Sequence, residues 1–212
     1  MKTDDLIRAI AEDATPPGLR PEVKLSLALA GGIVVAAVLF MLLLGPRGNA
    51  LTSLDQLRFL LKFVVTLALA VGATGLVLRL IRPGATLGVW RRALLLAPGL
   101  LLIGIAGELL ALPGSGWLTA LVGSNARNCL TYIPLMGLAP LALILLALRS
   151  GAPSRPALAG AVAGLIAGGV SASLYAAHCP DDSPLFVATW YTLAIALLAG
   201  LGALIGRRLL RW

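Results

Sequence analysis

Two cysteines and one histidine have the widest chemical reach in this sequence. Cys129 and Cys179 are its only thiols, and His178, its sole histidine, abuts the second. Asp181 and Asp182 follow. Two thiolates, an imidazole and a carboxylate are the donor types that complete a tetrahedral site for a thiophilic metal. The same two thiols are also suited to a disulfide between neighbouring helices, or to packing as small apolar side chains. There is no C-x-x-C spacing, so thioredoxin-like redox chemistry has little support. Glu108 is a second candidate, a carboxylate near the end of an apolar run. A carboxylate there is either a relay group or a structural one, reaching water at the outer end or pairing with Arg127. No HExxH, GxSxG, P-loop or dinucleotide fingerprint is present, so an enzyme is not expected. No cofactor is expected either, beyond a regulatory metal at Cys129 and Cys179.

These residues need a scaffold, and composition names its class. Of 212 residues, 59% are hydrophobic and only 12% charged, against roughly 25% charged in soluble domains. Such a chain is a polytopic membrane protein rather than a soluble enzyme, a disordered chain or a small disulfide scaffold. Six apolar runs reach the length of about 20 residues that a spanning helix needs: Leu25–Leu44, Phe63–Ile81, Ala93–Leu112, Cys129–Leu148, Ala157–Ala177 and Leu185–Ile205. The expected fold class is an all-α bundle of six transmembrane helices. Residues 1–24 form a tail, 25–206 the membrane domain and 207–212 a basic C-terminal tail.

The net charge of +8 reads first as a topology signal. Lys2, Arg8, Arg20 and Lys24, then Arg79, Arg82, Arg91 and Arg92, then Arg149 and Arg155, and finally Arg207, Arg208 and Arg211 fall on one side. The other side holds Arg47, Arg58, Lys62 and Arg127. Basic residues concentrate on the cytoplasmic side, so both termini are expected there, in an inner membrane. Counting back from the short connection near Arg149–Pro156, Cys129 and Cys179 lie about 19 and about 22 residues away. At roughly 1.5 Å each, both thiols sit about 30 Å off, level within about 5 Å at the outer surface.

Spans associate in lipid through close packing of small residues. Gly160, Gly164, Gly168, Ala172 and Ala176 repeat every fourth residue, which predicts a flat stripe and a central packing helix. Ala68 and Gly72, and Gly202 and Gly206, are its candidate partners. Pro134 and Pro140 predict a kinked or locally irregular fourth span. Pro98 suits a first helical turn.

The N-terminal tail carries a short amphipathic pattern. Thr3 can cap a helix, and Asp4 and Asp5 favour its positive end. Leu6, Ile7 and Ile10 share one face, with Arg8, Glu12 and Asp13 largely elsewhere, and Thr15-Pro16-Pro17-Gly18 stops it. Acidic helices are poor ligands for anionic lipid, so a helix-in-groove contact with a cytoplasmic protein is expected.

The opening MKTDDLIRAIAEDA, residues 1–14, resembles the start of the NrsF family of membrane-integral anti-sigma factors. Residues 149–212, ending GALIGRRLLRW, are similar to that family's C-terminal region, and HCPDDSPLFVATWY, residues 178–191, is the most specific piece. The resemblance implies six spans and a cytoplasmic tail that holds an extracytoplasmic-function sigma factor inactive at the inner membrane. It also implies release under heavy-metal or oxidative stress, with Cys129 and Cys179 involved and tail contacts within Lys2–Asp13. The rival readings are a small transporter or permease, a membrane thiol oxidoreductase and an accessory subunit. A transporter would require polar groups meeting at mid-membrane, which the spans do not supply.

Overall fold

A computed structural model describes residues 3–12, 19–48, 56–81, 88–151 and 153–211, all helical or connecting segments. The first helix, α1 (Thr3–Glu12), precedes six helical spans. These are α2 (Pro21–Leu43), α3 (Leu57–Leu80), α4 (Gly88–Ala93) with α5 (Leu96–Ala111), α7 (Ala126–Leu148), α8 (Pro156–Ala176), and a last span of three parts. That span opens with α9 (Pro184–Phe186), continues through a π-helical turn at Val187–Tyr191 and ends in α10 (Thr192–Leu209). A short helix, α6 (Gly114–Val122), lies between α5 and α7. The protein is an all-α bundle of six membrane-spanning helices.

The glycine stripe explains its centre. Residues buried in α8 include Gly160, Gly164, Gly168 and Ala172. A methyl on Gly160 would fall 3.0 Å from the Gly206 Cα, and one on Gly164 2.5 Å from the Ala199 Cα. Backbone therefore meets backbone along α8 and α10, as small residues allow in a lipid solvent. The opposite side of α8 meets α3 at Gly169, where a methyl would stand 3.1 Å from the Ala70 amide nitrogen. Thr66 and Ser173 hydrogen-bond across that interface at 2.8 Å. The partners predicted on α10 are thus correct. On α3 the contact falls at Thr66 and Ala70 rather than Ala68, while Gly72 packs against the α4–α5 junction at Ala93 and Leu94.

α2 and α5 are peripheral. α2 leans on α7, where Gly32 admits the Pro140 ring. α7 is helical throughout despite Pro134 and Pro140, so the expected irregularity is not a break there. Proline instead interrupts the third span. Pro98 clashes with the carbonyl four residues earlier, and the chain leaves the helix at Leu94–Leu95 before α5 begins. Trp90 of α4 lies flat over Gly75 of α3, which fixes the detached first turns.

Candidate functional site

The end of the bundle remote from α1, called the distal end below, gathers most of its polar chemistry. The segment between α8 and α9, residues 177–183, crosses that end without regular structure. It places each polar side chain against a different helix.

Cys129, one turn into α7, and Cys179, just past α8, are both fully buried, neither forms a disulfide, and they share one apolar cluster with Ile133, Met136, Tyr175, Phe186 and Tyr191. The two thus lie together at one end of the bundle, buried as small side chains rather than open to solvent. The crossing segment and α9 fold back over the sulfurs. Burial pushes the Cys179 thiol up from its ordinary range, with Lys62 and a contact to the Asp181 carbonyl opposing in part. The thiol is therefore the neutral form at neutral pH. The Tyr175 and Tyr191 rings pack 5.8 Å apart beside it. Their hydroxyls are buried and lack a partner with hydrogen-bond geometry, leaving Cys179 as their polar neighbour. Two thiols and two phenols thus lie together in one cluster shut off from solvent, the thiol pocket.

The other predicted donors turn away from the sulfurs. His178 Nδ1 lies 3.0 Å from the Gly45 carbonyl oxygen at the end of α2. The Asp181 carboxylate accepts from the Asn125 amide at 2.9 Å and the Ser124 amide at 3.1 Å. It thereby satisfies donors at the α7 N-terminus, where negative charge is favoured. Asp182 forms ion pairs with Arg47, at 3.1 Å, and with Lys62. Among the described residues no group of three or more His, Cys, Asp or Glu side chains is placed to hold a metal. Adjacency in sequence misled here because an extended segment points successive side chains in different directions.

Lys62 is the residue that sequence reasoning missed. Its side chain is 1% exposed, and its Nζ donates to the Cys179 carbonyl at 2.8 Å. A buried ammonium must be paired and hydrogen-bonded, and Asp182 with two backbone carbonyls meets that need. The signal was available: the helix begins at Leu57, so Lys62 lies inside an apolar run, not before it. Glu108 is likewise buried, but its partner is Arg58 at 3.3 Å rather than Arg127. Its other oxygen accepts from the Ser183 hydroxyl at 2.7 Å and the Leu185 amide at 3.0 Å. This carboxylate therefore ties α5 to the start of the last span, a structural role. Trp190, in the π-helical turn, donates to the Leu121 carbonyl of α6 at 2.9 Å.

At the other end, α1 forms over the stretch predicted for it. Thr3, Asp4, Asp5, Ile7 and Arg8 are exposed. Leu6, Ile10 and Glu12 lie on the same helix, while Asp13 lies outside the described residues.

The assembly is a membrane helix bundle with two buried thiols at one end, preceded in the chain by a short acidic helix. The chain belongs to the family described as negative regulator of sigma F (NrsF), whose sequence profile matches residues 10–212. It is 39% identical to the anti-sigma-F factor NrsF of Caulobacter vibrioides (strain NA1000 / CB15N), over 100% of both chains. It is 34% identical to the probable anti-sigma-F factor NrsF of Azospira oryzae (strain ATCC BAA-33 / DSM 13638 / PS), again over 100% of both. No solved structure matches it.

Proposed function

We infer that this protein is a membrane-bound anti-sigma factor, a regulator and not an enzyme, that sequesters an extracytoplasmic-function sigma factor. Full-length similarity to two proteins named as anti-sigma-F factors carries the reading. Residues 1–24 are the docking tail. Leu6, Ile7 and Ile10 enter a groove of the partner, while Asp4, Asp5, Glu12 and Asp13 face its basic surface. Both termini are cytoplasmic and the distal end faces the periplasm of an inner membrane. That orientation is supported by Arg91, Arg92, Arg155, Arg207, Arg208 and Arg211, which all lie at the end opposite the thiol pocket.

Release follows a change at Cys129 and Cys179 caused by a heavy metal or an oxidant. The support is their shared pocket and the polar clasp around it. Because His178, Asp181 and Asp182 are engaged elsewhere, a metal that reaches the two sulfurs must displace existing contacts, and that displacement is the signal. Moving a two-state bundle from 1:99 to 99:1 takes about 5.5 kcal/mol of differential binding, within reach of a thiolate–metal site.

Two variants of the full chain test the two halves. Deletion of residues 2–14 should free the sigma factor, read as loss of co-purification and constitutive transcription of its targets. Retained repression would end the docking assignment. Cys129→Ser with Cys179→Ser should keep repression and abolish the response to cadmium; an unchanged response would end the sensing assignment.

A further inference from the structure

The thiol pocket and the tail lie at opposite ends of the bundle, and α2 is the helix that runs between them. Over most of its length α2 is loosely held, with only Leu25, Gly32, Ala36 and Phe40 buried. Its distal end is held quite differently. The Gly45 carbonyl meets His178. The Arg47 amide donates to the Ala177 carbonyl at 3.0 Å. The Arg47 guanidinium reaches the Cys179 carbonyl at 3.4 Å and the Asp182 carboxylate at 3.1 Å. It also lies 4.5 Å above the Phe59 ring, and its side chain is 11% exposed. Gly45 and Arg47 thus touch the chain on both sides of Cys179 and at Cys179 itself.

The geometry points to Arg47 as the coupling residue of the bundle: it ties the tail-bearing helix to the backbone that positions one of the two thiols. A displacement of Cys179 then moves the end of α2 directly, without passing through the α8–α10 core. This rests on the function proposed above, in which the tail on α2 is the repressing element.

Two physical points favour this route over one through Cys129. Residues 179–183 make no helix, so the Cys179 carbonyl is held by side-chain contacts, those of Arg47 and Lys62, rather than by a helical ladder. α7, by contrast, carries Cys129 within an unbroken helix whose N-terminus is fixed by Asp181. The role is transmission, not locking, because α2 is also seated on α7 at Gly32 and Pro140, a contact in which Arg47 takes no part.

The test uses the full-length protein in its native membrane, a reporter transcribed by the captured sigma factor, and cadmium ion as the probe. Coupling between sites typically amounts to about 5–150-fold. Arg47→Gln should keep basal repression and protein amount while induction falls by about tenfold or more. Arg47→Lys keeps the charge opposite Asp182 but loses the fork that also reaches Cys179, so its induction should fall less. Where Arg47→Gln lowers the protein amount, the lysine variant supplies the reading, and wild-type induction in it overturns the proposal. Undiminished induction in Arg47→Gln overturns it as well, and so does constitutive release at normal protein amount, which would make Arg47 a lock. The deletion of residues 2–14 separates the two ideas. If that chain still represses, or wild type ignores cadmium, the proposed function fails and this inference with it. If deletion releases and wild type responds, yet Arg47→Gln responds equally, only the coupling role fails.

Discussion

The distal and proximal ends of the bundle handle charge in opposite ways. At the distal end Arg47, Lys62, Asp181, Asp182 and Glu108 are paired or hydrogen-bonded across helices. At the proximal end Arg91, Arg92 and Arg155 line one concavity and Arg207, Arg208 and Arg211 another. No ion pair among the described residues involves these six arginines. Pairing withdraws charge from water and makes each partner dependent on the other. Exposed arginines keep their charge in water, where it is available to anionic surfaces. The distal end is thus built to hold a shape, the proximal end to sit at an interface.

Substitutions can break this contrast, and unfolding by SDS in mixed micelles is the measurement for most of them. The largest effect belongs to Asp182→Asn, which leaves the Lys62 ammonium buried without its counter-charge. Breaking a buried pair costs about 3–5 kcal/mol, so the unfolding midpoint should drop sharply; a midpoint near wild type would mean that the Asp182 pairing does not hold this end together. Gly164→Val comes next, because its side chain would meet the Leu198–Ala199 backbone. Overpacking costs about 1–3 kcal/mol when neighbours can shift, and backbone shifts less readily than side chains. Gly99→Ala on α5 is the control: nothing lies within 4 Å of the added methyl, and stability should hold or rise by up to about 1 kcal/mol.

Asp181→Ala should cost about 0.5–2 kcal/mol by leaving the Ser124 and Asn125 amides at the start of α7 without their acceptor, and Arg207→Gln should stay within about 0.5 kcal/mol. A large loss at Arg207 would refute the contrast between the ends. The thiols sharpen it in another way. Since burial holds Cys179 in its neutral form, alkylation of the folded protein at pH 8 should be far slower than of the SDS-unfolded chain. Equal rates would show that the pocket is open.

The sequence disclosed the features that repeat and concealed those that occur once. Long apolar runs and the four-residue glycine step have a period, so the six spans and the α8–α10 contact could be read directly. Ala68 does not carry the α3 contact because several small residues lie close together on α3 and no regular stripe marks the one that faces α8. Lys62 was hidden by a boundary placed at Phe63, six residues past the helix start at Leu57, which put a buried cation in solvent. α6 was missed because nine residues are too few for a span signal. The directions of His178, Asp181 and Asp182 depend on the path of an irregular segment, which neighbouring residue types do not encode. The family resemblance located the important segment but did not say which way its side chains face.

The π-helical turn has a consequence for how the last span tolerates change. Its closing bond runs from the Thr192 amide to the Val187 carbonyl, five positions back, so this stretch holds one surplus residue compared with an ordinary helix. Removing one amino acid elsewhere in a helix rotates everything beyond it by about 100°, generally with heavy damage. Here a shortening within 187–191 would close the wide loop into regular winding and swing Trp190 and Tyr191 away from Leu121 and the sulfurs, while Ile195 and Leu198 keep their seats on α8. The span thus carries a built-in phase adjuster, through which insertions and deletions can re-aim its cap without disturbing its root.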